Sequence, residues 1–205
     1  MHCPRLRSLL LAAVTVFGFS MLGDVSVYAY SGNGAASWAD GHWNADAPGW
    51  PTFSDDCTNY VSQALYLGGG YPQTANNGSP TDDSYWYMNL GSQTWTYSWT
   101  VAFDQERFQA IHYPGGYYWG TYSGTYGGND TIYAGDELFY DWNSDGRVDH
   151  MSIQVSYGTD PNSGWYGDLV DQHTTNRYHA YWTLQPYNAN SSTTSIDEYH
   201  ISSSN

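Results

Sequence analysis

The sequence predicts an α+β fold, with helices in the first half of the chain and an antiparallel β-sheet in the second. Apolar residues recur at helical spacing as far as Ile111 and alternate with polar ones from Glu137 onward. Segments rich in Gly, Pro, Asn and Asp separate the two regimes.

At the N-terminus, Arg5 and Arg7 precede a mostly apolar run, Ser8 to Leu22, which is short and interrupted. Val27-Tyr28-Ala29 then offers the small residues that a signal peptidase reads. Residues 1–29 are therefore expected to be a signal peptide. Residues 30–205 are expected to be one secreted domain, free of the membrane after cleavage and large enough to bury a single core.

Within that domain, Ala35 to Ala39 reads as a short helix, ended by Pro48-Gly49-Trp50-Pro51. Asp55-Asp56 offers an N-cap to a second helix from Cys57 to about Leu67. Tyr60, Val61, Ala64 and Leu65 form its apolar stripe, and Gly68-Gly69-Gly70 stops it. Residues 71–98 read as irregular, and Thr100 caps a third helix that runs to about Ile111. Residues 113–130, rich in Gly and Tyr, read as an elaborate surface loop. Glu137 to Trp142, Val148 to Ser156 and Asp168 to Thr174 then read as strands, with Asn143-Ser144-Asp145-Gly146 a hairpin turn between the first two. Ala180 to Leu184 and Ile196 to Ile201 add two more.

Composition narrows the function classes. The chain has 21 Tyr, 10 Trp and no lysine, and its formal charge is −15. Loss of Asp24, Arg5 and Arg7 with residues 1–29 leaves 19 acidic and 3 basic residues, a charge of −16. Such a surface repels nucleic acid and anionic lipid. No nucleic-acid partner is expected, and a soluble monomer is.

The cysteines point to chemistry. Cys3 leaves with the signal peptide, so Cys57 has no intramolecular partner. An unpaired cysteine in an exported protein is either a buried apolar residue or a reactive thiol. Cys57 opens a helix, where unpaired amides and the dipole favour the thiolate and can hold an oxyanion. The base it needs is sought among six histidines: 42, 112, 150, 173, 179 and 200. His150 lies early in a strand after a tight hairpin, sharing a face with Ser152 and Gln154, while Met151, Ile153 and Val155 point the other way. His173 on the next strand, or Asp171 beside it, could orient the His150 ring.

Asp56-Cys57-Thr58-Asn59-Tyr60-Val61-Ser62-Gln63-Ala64-Leu65, followed by Gly68-Gly69, resembles the putative amidase domain family of secreted bacterial proteins. That family is similar to the NlpC/P60 and CHAP group of papain-like cysteine peptidases and amidases. Ala35-Ala36 with Trp38-Ala39, Trp86-Tyr87, Ser98-Trp99-Thr100, Gly135-Asp136, Asp149-His150 and Gln172-His173-Thr174 with Asn176-Arg177 follow the same order. The resemblance implies a papain-like (NlpC/P60-type) fold, its nucleophile on a helix N-terminus packed against the sheet. It implies Cys57 as nucleophile, His150 as base and acid, and His173 as the third residue, with Asp171 and Asn176 as alternatives. It also implies hydrolysis of amide or peptide bonds, with peptidoglycan peptides a candidate substrate and no cofactor or metal. The Gly/Tyr-rich stretch before Gly135 and the many aromatics depart from the family pattern and leave the substrate open. A non-catalytic wall- or glycan-binding module on the same fold is the competing reading. Asp141 to Asp145 also matches the opening of a calcium loop, but Ser152 stands where such a loop needs glutamate.

Overall fold

An apolar helix stripe and an apolar sheet face must each bury against something, and here they bury against each other. The computed structural model describes residues 29–111, 116–127 and 132–202. The expected signal peptide, as far as residue 28, and His112 lie outside the described residues.

Helix α1, Gly32–His42, is capped by the Ser31 hydroxyl, which accepts from the Gly34 amide at 3.0 Å. Helix α2, Cys57–Gln63, continues into a wider π-type turn over Ala64–Gly68. A two-stranded ladder follows, β1 Met88–Asn89 with β2 Thr94–Trp95, then α3 Tyr97–Thr100 and α4 Ala102–Ile111. The third expected helix is α4, and the short α3 before it is not among those expected; Val101 adopts an extended conformation between them.

Six strands make the main sheet: β3 Gly116–Ser123, β4 Glu137–Asp141, β5 His150–Thr159, β6 Tyr166–Gln172, β7 Arg177–Tyr181 and β8 Ser195–Ile201. Their order is β3-β8-β4-β5-β6-β7, and every pairing is antiparallel. β3 corrects the expected surface loop. It pairs only with β8 and is largely exposed, so its sequence lacks the alternation that marks a half-buried strand.

The helices lie on one sheet face. Met151, Ile153, Val155 and Phe139 meet Tyr60, Val61, Ala64 and Leu65 there, backed by Trp86, Trp99 and Phe108. Leu138, Tyr140, Val170, Ala180, Trp182 and Ile196 form a second cluster on the opposite face. Trp86 and Trp99 pack with ring centroids 4.5 Å apart, so a good part of the aromatic excess is core.

Helix α2 is buried along its whole length, polar residues included. Each polar side chain has a structural task. Asn59 donates to the Pro51 carbonyl and to Asp56 Oδ1, both at 2.9 Å, and its own oxygen accepts from the Trp99 indole at 3.0 Å. Ser62 accepts from the Trp86 indole at 3.1 Å, and Gln63 donates to Asp46 at 2.8 Å. The Asp-Cys-Thr-Asn block therefore fixes the start of α2 against three neighbouring segments. The β4–β5 connection is the expected turn: Asp141 accepts from the amides of Asn143, Asp145 and Gly146. Those bonds give the calcium-like sequence a turn-forming role.

Candidate active site

The start of α2 meets the start of β5, and this brings Cys57 and His150 together. Both are buried, and both line one open cleft of about 360 Å³. Cys57 is a free thiol. Burial alone would push its pKa up. The positive charge and hydrogen bond of His150, the Thr58 hydroxyl and the Met151 backbone outweigh that and bring it down to about 7. His150 responds reciprocally. Burial would lower its pKa, but the Cys57 thiolate and the hydrogen bond to Gln172 raise it above the ordinary imidazole value.

The geometry of Gln172 sets the tautomer of His150. The Gln172 amide nitrogen donates to the Thr175 carbonyl at 2.9 Å, which turns its oxygen toward the imidazole. His150 Nε2 therefore carries the proton and donates to Gln172 Oε1 at 3.1 Å. Nδ1 is left for the thiol. Trp142 stacks on the imidazole with centroids 5.5 Å apart, and Tyr140 lies across the ladder from it at 5.7 Å. The ring is held from its edge and from its face.

His173 does not take the place expected of it. β6 ends at Gln172, and His173 turns away from the cleft onto the flank of α2. Its Nδ1 lies 2.8 Å from Asp56 Oδ2, its Nε2 lies 2.9 Å from the His42 carbonyl oxygen, and its ring stacks on Tyr60 at 4.0 Å. The residue that orients His150 is its sequence neighbour, Gln172. Asp171 accepts from the His179 amide instead, and Asn176 is exposed. Strand alternation held the signal. Gln154 pairs with Val170, so the face shared by His150, Ser152 and Gln154 continues on β6 through Val170 to Gln172.

Asp56 does not cap α2 with its side chain. Its Oδ1 accepts from the Phe53 amide at 2.9 Å, and Oδ2 holds His173. The exposed amide end of α2 is closed by Thr174, whose Oγ1 accepts from the amides of Asp56 at 2.9 Å and Cys57 at 3.1 Å. Thr174 has φ 74°, a left-handed conformation that costs a β-branched residue energy and is held by these bonds.

Among the described residues, two groups could hold a cation: Asp46 with Asp56 and His173, and Asp40 with Asp171 and His179. Each is closed by its own His–Asp hydrogen bond at 2.8 Å, and neither includes Cys57 or His150. Of the remaining histidines, His42 stacks on Trp38 and His200 bonds Asp136.

Comparison with known proteins agrees with the site's chemistry at a coarse level. The family model described as Putative amidase domain matches residues 29–196, and the chain belongs to that family. The family's description points to hydrolysis of amides. The chain is also similar to the protein named "Uncharacterized protein YhbB" from Bacillus subtilis (strain 168), at 30% identity over 176 residues. That match covers 85% of this chain but 51% of the relative, so the chain spans about half the relative's length. No solved structure matches.

Proposed function

We propose that this member of the putative amidase domain family is a secreted, single-domain cysteine hydrolase of amide or peptide bonds, built on a papain-like arrangement. The observation that carries the proposal is Cys57, with a thiol lowered to about 7, beside a His150 ring locked by Gln172 at the floor of an open cleft.

In this reading the Cys57 thiolate attacks the carbonyl carbon and a sulfur–carbon bond forms. The developing oxyanion takes the place of Thr174 Oγ1 as acceptor of the Cys57 amide. The protonated His150 gives its Nδ1 proton to the leaving amine as the carbon–nitrogen bond breaks. Water then adds to the thioester carbon while His150 takes its proton, and the sulfur–carbon bond breaks, so that the acid product leaves and the Cys57 thiolate and the protonated His150 are restored. Gln172 keeps the ring in the productive tautomer through both steps.

Peptidoglycan peptides are the proposed target, from the expected export of the chain and its family. Incubation of the purified protein with peptidoglycan should release new amino groups. Cys57→Ala should abolish that release. Persistence of release in the variant, or none from the wild type, would overturn the proposal.

A non-catalytic wall- or glycan-binding module has one observation in its favour. Trp50, Met88, Leu90 and Trp95 line a second groove of about 540 Å³, apolar enough to stack on a sugar. Glycan binding that survives Cys57→Ala in a protein releasing no amines would favour it.

A further inference from the structure

One arginine lines the cleft. Arg177, the first residue of β7, lines the same cavity as Cys57 and His150 and is half-buried in its wall. It is one of five basic residues in a chain of net charge −15, and among the described residues no carboxylate forms an ion pair with it. With acids so abundant, a side chain needing only local neutralisation would readily have acquired one.

Its position is built. The guanidinium lies 4.0 Å from the centre of the Tyr187 ring. The Tyr187 hydroxyl in turn meets both oxygens of Asp160, at 2.7 and 2.6 Å, and Asp160 also accepts from the Tyr181 amide. Contact with the ring face holds the guanidinium in place, and its N–H groups can pair with a planar anion. The two acids in the cavity lining, Asp55 and Asp149, belong to other segments: the loop before α2 and the β4–β5 connection. Asp149 accepts from the Trp142 amide at 3.0 Å.

We infer that Arg177 is a substrate-recognition residue that pairs with a carboxylate on the substrate, close to the scissile amide. The inference rests on the reading of Cys57 as nucleophile and adds the substrate class: amides bearing a free carboxylate, from an acidic residue or a chain end. The guanidinium is also near enough to His150 to lower its pKa, so a bound carboxylate would relieve that effect and favour the protonated imidazole that the leaving amine needs.

Two alkylating reagents test the inference without a known substrate. Iodoacetate and iodoacetamide share a leaving group and nearly a size, and differ in charge. Their rates of reaction with Cys57 are measured on the intact protein at pH 7 and about 0.15 M salt, where the distant acidic surface is largely screened. The ratio of the iodoacetate rate to the iodoacetamide rate should fall about tenfold in Arg177→Met, the order expected for loss of a charge-assisted contact. Arg177→Gln is a second neutral variant if the first folds poorly, and Arg177→Lys should retain most of the preference. A ratio unchanged in a folded neutral variant overturns this inference alone. If neither reagent labels Cys57, the nucleophile reading falls and the inference with it, whereas labelling by iodoacetamide with none by iodoacetate overturns the inference alone.

Discussion

Two histidines stand close to the start of α2, both buried, and they differ in one respect. His150 has one ring nitrogen bound to a protein oxygen and the other left for a thiol, at the floor of a cleft. His173 has both nitrogens on protein oxygens and a face covered by Tyr60. The first arrangement can exchange a proton with something that enters. The second can only hold parts together, here Asp56 on one side and the end of α1 on the other. A histidine's completeness, more than its burial or its distance from the nucleophile, separates chemistry from scaffold.

The largest effects should come from breaking the incomplete side. Cys57→Ala should lower amide hydrolysis by more than about a thousandfold. His150→Ala should lower it by roughly a hundredfold to ten-thousandfold, with the protein still folded by circular dichroism. If His173→Ala proved as damaging to turnover per folded molecule as His150→Ala, the comparison would be wrong.

Gln172 comes next. Gln172→Ala removes the acceptor that fixes the His150 tautomer, and hydrolysis should fall about tenfold to a hundredfold through misplacement of the ring. The pH dependence of alkylation gives a second readout. In the wild type, the iodoacetamide rate should rise as pH passes about 7 and then level off, because the thiolate forms there. Burial, the largest influence on the thiol, raises its pKa, and His150→Gln removes the charge that chiefly offsets it, so the midpoint should move up to the ordinary cysteine value of about 8.5 or past it. A wild-type midpoint already at that value would sink the thiolate–imidazole pair.

His173→Ala should register mainly in stability. It strips a buried partner from Asp56 and from the His42 carbonyl, which should cost about 3 kcal/mol and lower the melting temperature by roughly 10 °C. Melting measured by calorimetry would check it.

The confusion of Gln172 with His173 shows what the sequence carried and what it did not. The α+β plan, the turn at Asn143 to Gly146, four of the six sheet strands and the meeting of Cys57 with His150 were legible, since each rests on local pattern or on a specific block, while the strand expected over Ala180 to Leu184 lies three residues earlier, as β7. The third residue was not. Neighbours on a strand face opposite ways, so a shift of one residue exchanges a ring-orienting amide for a scaffold imidazole, and the resemblance favoured the histidine. Exposed β3 escaped because its pairing with β8 is a long-range fact with no periodic trace in Gly116 to Ser123. The burial of α2 on every side escaped because Asn59, Ser62 and Gln63 read as a polar face until their partners are known.

Glu137 sharpens the comparison from outside the cleft, and with the smallest effect. It is fully buried, Oε1 accepts from Gln105 at 2.9 Å, and Oε2 has no hydrogen-bond partner among the described residues, yet it lines neither the Cys57 cleft nor the Trp50 groove. An open position on a buried group is thus insufficient for a site; access must accompany it. Burial pushes the Glu137 pKa from 4.5 up to about 8, against the lowering influence of Gln105 and Gln109. The folded protein therefore keeps a proton that the unfolded chain has lost between those values. Stability should fall as pH rises across that window. Asp171 and Glu106, both also raised to about 8 by burial first, act in the same direction. Glu137→Gln supplies a neutral side chain of the same shape at every pH, so the variant should lose less stability than the wild type between pH 5 and 8.5 in urea titrations. An unchanged slope would mean that Glu137 is ionised in the fold, with its charge met by something other than Gln105 and Gln109.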